Sequence, residues 1–189
     1  MQISFGKKIP IMQCCIKDME NNKRIPATVC EYDCQTSEDA EDILYMGGNW
    51  HFHINMACDM REKYIKENFD GEKSPAHFYL MENPNGKTVA ICETVEKDNE
   101  ISIKYVESER DFGHKYCGKT MLAALGKKLL NNHGKRLYIP SALFDAHDFY
   151  VKGCGFEEIN DSPHKLQMMP EQIDKFISAT ELQTGGKIL

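Results

Sequence analysis

The stretch that most constrains this chain begins at the strand-like run Ile101-Ser102-Ile103-Lys104-Tyr105-Val106. It continues through the turn Gly113-His114-Lys115-Tyr116-Cys117-Gly118-Lys119-Thr120 into a helical run that ends near Asn132-His133-Gly134. Arg136-Leu137-Tyr138-Ile139-Pro140 then reads as a second strand. A helix that links two strands in this way is a crossover, so the spacing predicts that the two strands are parallel neighbours. The helix carries Leu122, Leu125 and Leu129 with Met121 at the spacing of a core-facing stripe, and Lys119, Lys127 and Lys128 fall mostly outside it. The free N–H groups at such a helix start converge on one point and favour an anion there. The turn supplies His114 and Lys115 and no carboxylate after Asp111. A phosphate-bearing ligand is the expectation.

The other elements are mostly strands. Residues 9–16 and 24–32 flank the polar turn Asp18-Met19-Glu20-Asn21-Asn22-Lys23 and read as a hairpin, with Pro10 and Pro26 at strand starts or edges. Residues 36–44 begin with a cap-like Thr36-Ser37 and predict a helix that stops by Gly47-Gly48; a second helical stretch is expected over 56–68. Residues 77–82, 87–95 and 100–106 form a meander through the turns Asn83-Pro84-Asn85-Gly86 and Asp98-Asn99. A short glycine-ended helix over 145–153, strands at 156–159 and 164–169, and a helix at 171–180 that Pro170 can start complete the reading. A loose tail is expected over 181–189.

The chain has 189 residues and a net charge of −6, which argues against nucleic acid as the main partner and favours a cationic one. No apolar run reaches the roughly 20 residues that cross a bilayer, and residues 1–8 hold no signal-peptide core, so a soluble cytoplasmic protein without membrane contact is expected. Eight cysteines occur without a C-x-x-C spacing, and reduced thiols are expected. Cys30-x-x-x-Cys34 and His51-x-His53 lack complementary ligands at a telling distance, and no metal is expected.

The run Ala146-x-x-Phe149-Tyr150-x-Lys152-x-x-Gly155-Phe156 resembles the late segment A-x-x-F-Y-x-K-x-G-F of the GCN5-related N-acetyltransferases (GNAT superfamily), with one extra residue between Lys152 and the Gly-Phe pair, or with Gly153 and Gly155 sharing one role. The turn resembles that family's acetyl-CoA motif, Gln/Arg-x-x-Gly-x-Gly/Ala, in a register where Gly118 matches while Gly113 and Tyr116 replace the first and fourth positions. Leu143 stands where the family often carries asparagine. The resemblance covers residues 40–169. It implies an α+β, three-layer fold with a mixed, mostly antiparallel sheet, a V-shaped opening between two parallel strands and flanking helices. Residues 1–35 would be an N-terminal hairpin packed on a domain spanning 36–180.

The resemblance implies acetyl-CoA as co-substrate. Its pantetheine would lie on the backbone of Lys104, Tyr105 and Val106, and its pyrophosphate on the turn formed by Gly113, His114, Lys115, Tyr116, Cys117, Gly118, Lys119 and Thr120. Tyr150 matches the family's tyrosine general acid, and a phenol of ordinary pKa about 10 suits a departing thiolate. Glu100 stands where some members carry a carboxylate base, and Glu93 lies on the neighbouring strand. His114 and His147 are expected near the cleft, and Cys117 is a conceivable acyl-carrying nucleophile. The implied activity is acetyl transfer by direct attack of a small-molecule or peptide amine, in a monomer or homodimer. The alternative is a GNAT-like binding or regulatory protein with a degraded cofactor site. A Rossmann-type nucleotide protein is disfavoured by the missing G-x-G-x-x-G.

Overall fold

The computed structural model describes residues 7–33, 76–108, 113–160 and 162–189. The helices expected over 36–44 and 56–68, His51, His53, Cys34 and Asp111 lie outside the described residues. Strands β1 (Lys7–Asp18), β2 (Arg24–Asp33), β3 (Ala76–Glu82), β4 (Thr88–Lys97) and β5 (Glu100–Ser108) lead through the short β6 (His114–Lys115) into helix α1 (Cys117–Asn131). Then follow β7 (Arg136–Ile139), a 3₁₀ turn (Phe144–Ala146), a π-helical turn (Phe149–Cys154), β8 (Glu157–Ile159), β9 (Ser162–Met168) and helix α2 (Pro170–Thr184).

All nine described strands share one sheet, in the order β6-β1-β2-β3-β4-β5-β7-β9-β8. Every pairing is antiparallel except β5 with β7. That parallel pair is held only at Glu100–Arg136, Ile101–Leu137 and Ser102–Tyr138. Past Ser102, β5 runs on to Ser108 while β7 ends at Ile139, which leaves the V-shaped opening. β5 also bulges there: Glu93 pairs with Tyr105 and Thr94 with Ile103, so Lys104 is an extra residue.

The hairpin expected as a piece packed on the core is part of the sheet itself. β2 pairs with β3 from Thr28 to Tyr32, and β1 receives His114 and Lys115 opposite Asp18 and Lys17. Pro26 precedes the part of β2 that meets β3, so its missing N–H breaks no ladder on that side. Asp18 shapes the turn: its carboxylate accepts 2.9 Å hydrogen bonds from the N–H groups of Glu20 and Asn21.

One face of the sheet packs on α1, and α2 covers the outer side of that helix. This second cover explains why α1 is buried beyond its leucine stripe, including Ala123, Ala124 and Gly126. A Cβ on Gly126 would fall 2.7 Å from Ile173 Cγ2, so the missing side chain permits the close approach of the two helices. The expected loose tail is docked. α2 runs to Thr184, Gly185 ends it at φ 73°, and Leu189 exchanges two 2.9 Å backbone hydrogen bonds with Gln13 of β1, with Ile188 buried. The apolar Ile188 side chain, and the part of the outer edge of β1 that β6 leaves unpaired among the described residues, make this docking favourable.

Beneath the C-terminal half of α1 lies a polar network. His77 Nδ1 stands 2.6 Å from Glu31, Tyr79 bonds Glu96, and Lys128 reaches Tyr79, Glu96 (2.8 Å) and Glu31 (3.7 Å). The bond to Glu31 holds His77 above its ordinary 6.5, against a smaller lowering by burial, and the same bond holds Glu31 below its ordinary 4.5. A raised histidine stabilises fully below its unfolded pKa and stops doing so as pH rises through the raised value. A lowered carboxylate stabilises above its unfolded pKa and stops doing so as pH falls through the lowered value. The pair therefore contributes most between 4.5 and 6.5. Glu31→Gln is expected to lower the His77 midpoint in an NMR titration, and to cost stability at about pH 5.5 that shrinks by about pH 8.5. An unchanged His77 midpoint would refute the coupling.

Candidate active site

The helix start is built by unusual backbone. Gly113 takes φ 79°, and its carbonyl accepts a 2.6 Å hydrogen bond from the N–H of Met19 in the β1–β2 turn. Tyr116 then takes φ 70° and ψ 8°, the left-handed conformation, immediately before α1. For a residue with a side chain this costs about 1–2 kcal/mol. It is also the position where the sequence resemblance expects glycine, so the turn keeps a glycine-like backbone with a tyrosine in it. The Thr120 hydroxyl donates to the Cys15 carbonyl at 3.3 Å, which ties the first helical turn to β1.

Among the described residues no side chain caps α1, and its first turn holds no acidic residue. Its free N–H groups and dipole therefore meet no anion among the described residues. They border a cleft of about 360 Å³ lined by His114, Lys115, Gly118 and Lys119, with Met19, Ser108 and Phe149 as further walls. A Cβ on Gly118 would stand 3.4 Å from Phe149 Cζ and 3.6 Å from Ser108 Oγ, so the backbone at this point is open to close approach from the cleft only because the residue is glycine.

Tyr150 is buried between aromatic edges. Its ring meets Phe149 at 5.2 Å and 65°, and Phe156 at 5.8 Å and 75°. Burial, then the nearby Cys92 and Cys154 thiols, hold its phenol above the ordinary value of 10.0. It is a proton donor throughout the neutral range and is unsuited to act as a base. The extra residue in the surrounding motif has a structural explanation. Phe149–Cys154 is wound as a π-helical turn, which absorbs one more residue than an α-turn. The N–H of Phe156 bonds the carbonyl of Tyr150 at 3.1 Å, so both aromatic positions of the motif remain in contact. Gly155 takes the chain out of the turn at φ 87°, while Gly153 lies against Lys119 and Phe149.

Lys104 is the exposed bulge residue at the opening, followed by Tyr105 and Val106, whose β4 partners are Glu93 and Cys92. On the side away from β4 these three residues have no strand partner among the described residues, and their outward backbone groups lie along the opening. The Tyr105 hydroxyl is buried and has no hydrogen-bond partner among the described residues. Strand alternation puts Glu107 on the same face as Tyr105, so Glu93 and Glu107 are two carboxylates flanking the bulge. Glu100 is not brought to this place. It lies at the closed end of the parallel pair, ion-paired with Arg136 at 3.0 Å, about 13 Å along the strand from Lys104. His147 is engaged with Glu158 at 2.9 Å. Cys117 is largely buried against the core, and it lines the cleft together with His114.

Sequence reasoning missed Met19, Ser108 and Glu107. Met19 enters through the pairing of β1 with β6, which leaves no local trace. Ser108 and Glu107 follow from the longer extent of β5; residues 107 and 108 continue its alternation and carry the only available signal. No group of metal-ligating side chains occurs among the described residues.

No protein-family model matches the chain, and no curated protein matches it in sequence. Its fold matches solved acetyltransferases. A spermidine N-acetyltransferase chimera from Vibrio cholerae and hSSAT aligns over 78% of this chain and 97% of its own, at 12% identity and TM-score 0.52. A GNAT-family acetyltransferase from Staphylococcus aureus aligns over 76% and 99%, at 15% and 0.51. The PaiA N-acetyltransferase of Thermoplasma acidophilum, in complex with coenzyme A, aligns over 75% and 96%, at 12% and 0.51. The chain has the GNAT fold: a mixed, mostly antiparallel sheet opened between two parallel strands and flanked by helices.

Proposed function

We propose that this protein transfers an acetyl group from acetyl-CoA to an amine of a small molecule or peptide by direct attack. The observation that carries the reading is a cleft at which the start of α1 meets a bare glycine backbone, with the buried, protonated Tyr150 packed edge-on against Phe149 of its wall. The residues fit the co-substrate. The α1 N-terminus with Lys115 and Lys119 suits a pyrophosphate, and the open edge of β5 from Lys104 to Val106 suits the amide groups of pantetheine. Of the solved neighbours, the Thermoplasma enzyme holds coenzyme A.

The chemistry asked of the chain is limited. The amine nitrogen bonds to the thioester carbonyl carbon, the C–S bond breaks, and the sulfur takes a proton. Tyr150 donates that proton from its hydroxyl, and the burial that raises its pKa keeps the proton on it until the thiolate forms. Glu93, beside the bulge, accepts the amine proton directly or through water. Glu100 is replaced in this role because of its pairing with Arg136. The net charge of −6 favours a cationic acceptor, and spermidine, the substrate named for one neighbour, is the first to try. The described cysteines are all free, which fits the reducing cytoplasm.

The reading predicts that CoA raises the melting temperature by several degrees at a concentration about 100 times its Kd, because only the folded state holds it. Acetyl-CoA with spermidine and a panel of peptide amines then tests turnover by thiol release. A folded sample with no shift in millimolar CoA defeats the proposal. Binding without turnover on any amine favours the regulatory reading. The left-handed Tyr116 counts against a degraded site, since the turn keeps its shape at an energetic cost.

A further inference from the structure

Lys128 stands over β3 between two carboxylates. Its Nζ lies 2.8 Å from Glu96 of β4, 3.7 Å from Glu31 of β2, and 4.9 Å from the centroid of the Tyr79 ring of β3. Glu96 also accepts a hydrogen bond from the Tyr79 hydroxyl, so it keeps a donor whether or not the ammonium stays on it. Glu31 is engaged at 2.6 Å by Nδ1 of His77. Among the described residues no further charged group pairs with His77, Glu31, Glu96 or Lys128. Thr94, the β4 residue across from His77, is buried and uncharged. With His77 protonated, two cations serve two carboxylates. With His77 neutral, Lys128 is the one cation left in the network for both. The four charged side chains are between 19% and 35% exposed, so their attractions are only partly screened by solvent.

We propose that His77 is a proton switch that moves Lys128 between Glu96 of β4 and Glu31 of β2, and so changes the strand to which the last turn of α1 is fastened. While the imidazole is charged, it holds Glu31, and Lys128 rests on Glu96 and Tyr79. When the imidazole loses its proton, it offers Glu31 a neutral donor only, and the ammonium shifts toward that carboxylate. Tyr79 goes on serving Glu96, so the exchange leaves neither carboxylate without a hydrogen bond, and the two arrangements stay close in energy. The bond to Glu31 holds His77 above its ordinary 6.5, which places the exchange above that pH. Lys128 lies in the last turn of α1, the end from which the chain passes into β7. The device therefore acts on the end of the helix that leads into one arm of the opening.

Double-mutant cycles on the unfolding equilibrium test this, with Lys128→Met combined in turn with Glu31→Gln and with Glu96→Gln, at about pH 5.5 and about pH 8.5. From the lower pH to the higher, the Lys128–Glu31 coupling is expected to grow by about threefold or more in the equilibrium constant, while the Lys128–Glu96 coupling falls. In a His77→Gln background, which keeps a neutral donor beside Glu31, both couplings should hold their high-pH values throughout. A network that titrates without moving keeps its pairwise couplings constant with pH, and that result overturns the proposal, as does a pH dependence that survives His77→Gln. One measurement needs no variant. The nuclear Overhauser contact between the Lys128 ε-methylene and the Tyr79 ring should weaken as the parent protein is taken upward through the His77 midpoint. An undiminished contact overturns the proposal as well.

Discussion

Gly118→Glu is expected to abolish coenzyme A binding and to leave the fold intact. The new Cβ would meet Phe149 and Ser108 at 3.4 and 3.6 Å, contacts that small side-chain adjustments accommodate. A glutamate in the first turn of α1 even favours the helix, by about 0.3–1 kcal/mol, because it complements the dipole. The same carboxylate would take over the N–H groups proposed for the pyrophosphate and place a negative charge against another. Such like-charge opposition costs several kcal/mol, so a loss of at least about 100-fold in affinity is expected by calorimetry. Gly118→Ala separates charge from bulk and should weaken binding far less. A glutamate variant that binds CoA as the parent does would show that no phosphate approaches this backbone.

Tyr150→Phe is expected to lower kcat by roughly 10²–10⁴-fold, the range for a general acid, with little change in the CoA dissociation constant. The substitution keeps the ring and so keeps the edge contacts with Phe149 and Phe156 at 5.2 and 5.8 Å. A purely packing role would leave turnover alone and move stability by about 1 kcal/mol at most. The pH profile adds a second readout. A phenol held above its ordinary value places the loss of the acid form beyond the neutral range, so the parent's kcat should show no fall from Tyr150 between about pH 7 and 9. A full-rate phenylalanine variant would assign the proton to water.

What could be read from the chain follows the range of the interactions involved. The crossover from β5 through α1 to β7 and the hairpin turns rest on contacts between near neighbours and show in residue spacing. At the candidate site the sequence singles out Gly118 and Tyr150, because motif positions survive there, and the structure puts Gly118 in the lining of the cleft and Tyr150 beside Phe149 of its wall. Tyr116 was read as a departure from glycine, and only the structure reveals that its backbone keeps the left-handed turn. Glu100 was misplaced because its distance from the opening depends on where the parallel pair comes apart, and register of that kind leaves no local signal. The role of β1 was missed for a related reason: a two-residue bridge to His114 and Lys115 spans about a hundred positions.

That bridge bears on the order in which the molecule is assembled. β1 and β2 can close early through their short turn, since little loop entropy opposes them. The outer partners of β1, however, are His114–Lys115 and Leu189, which lie far along the chain. Pairings at such separation require most of the intervening chain to be ordered first, so the turn before α1 is expected among the last parts to take shape. Binding competence would then appear late in refolding, after the helical signal of α1, and a stopped-flow trace of ligand capture would lag behind one of circular dichroism.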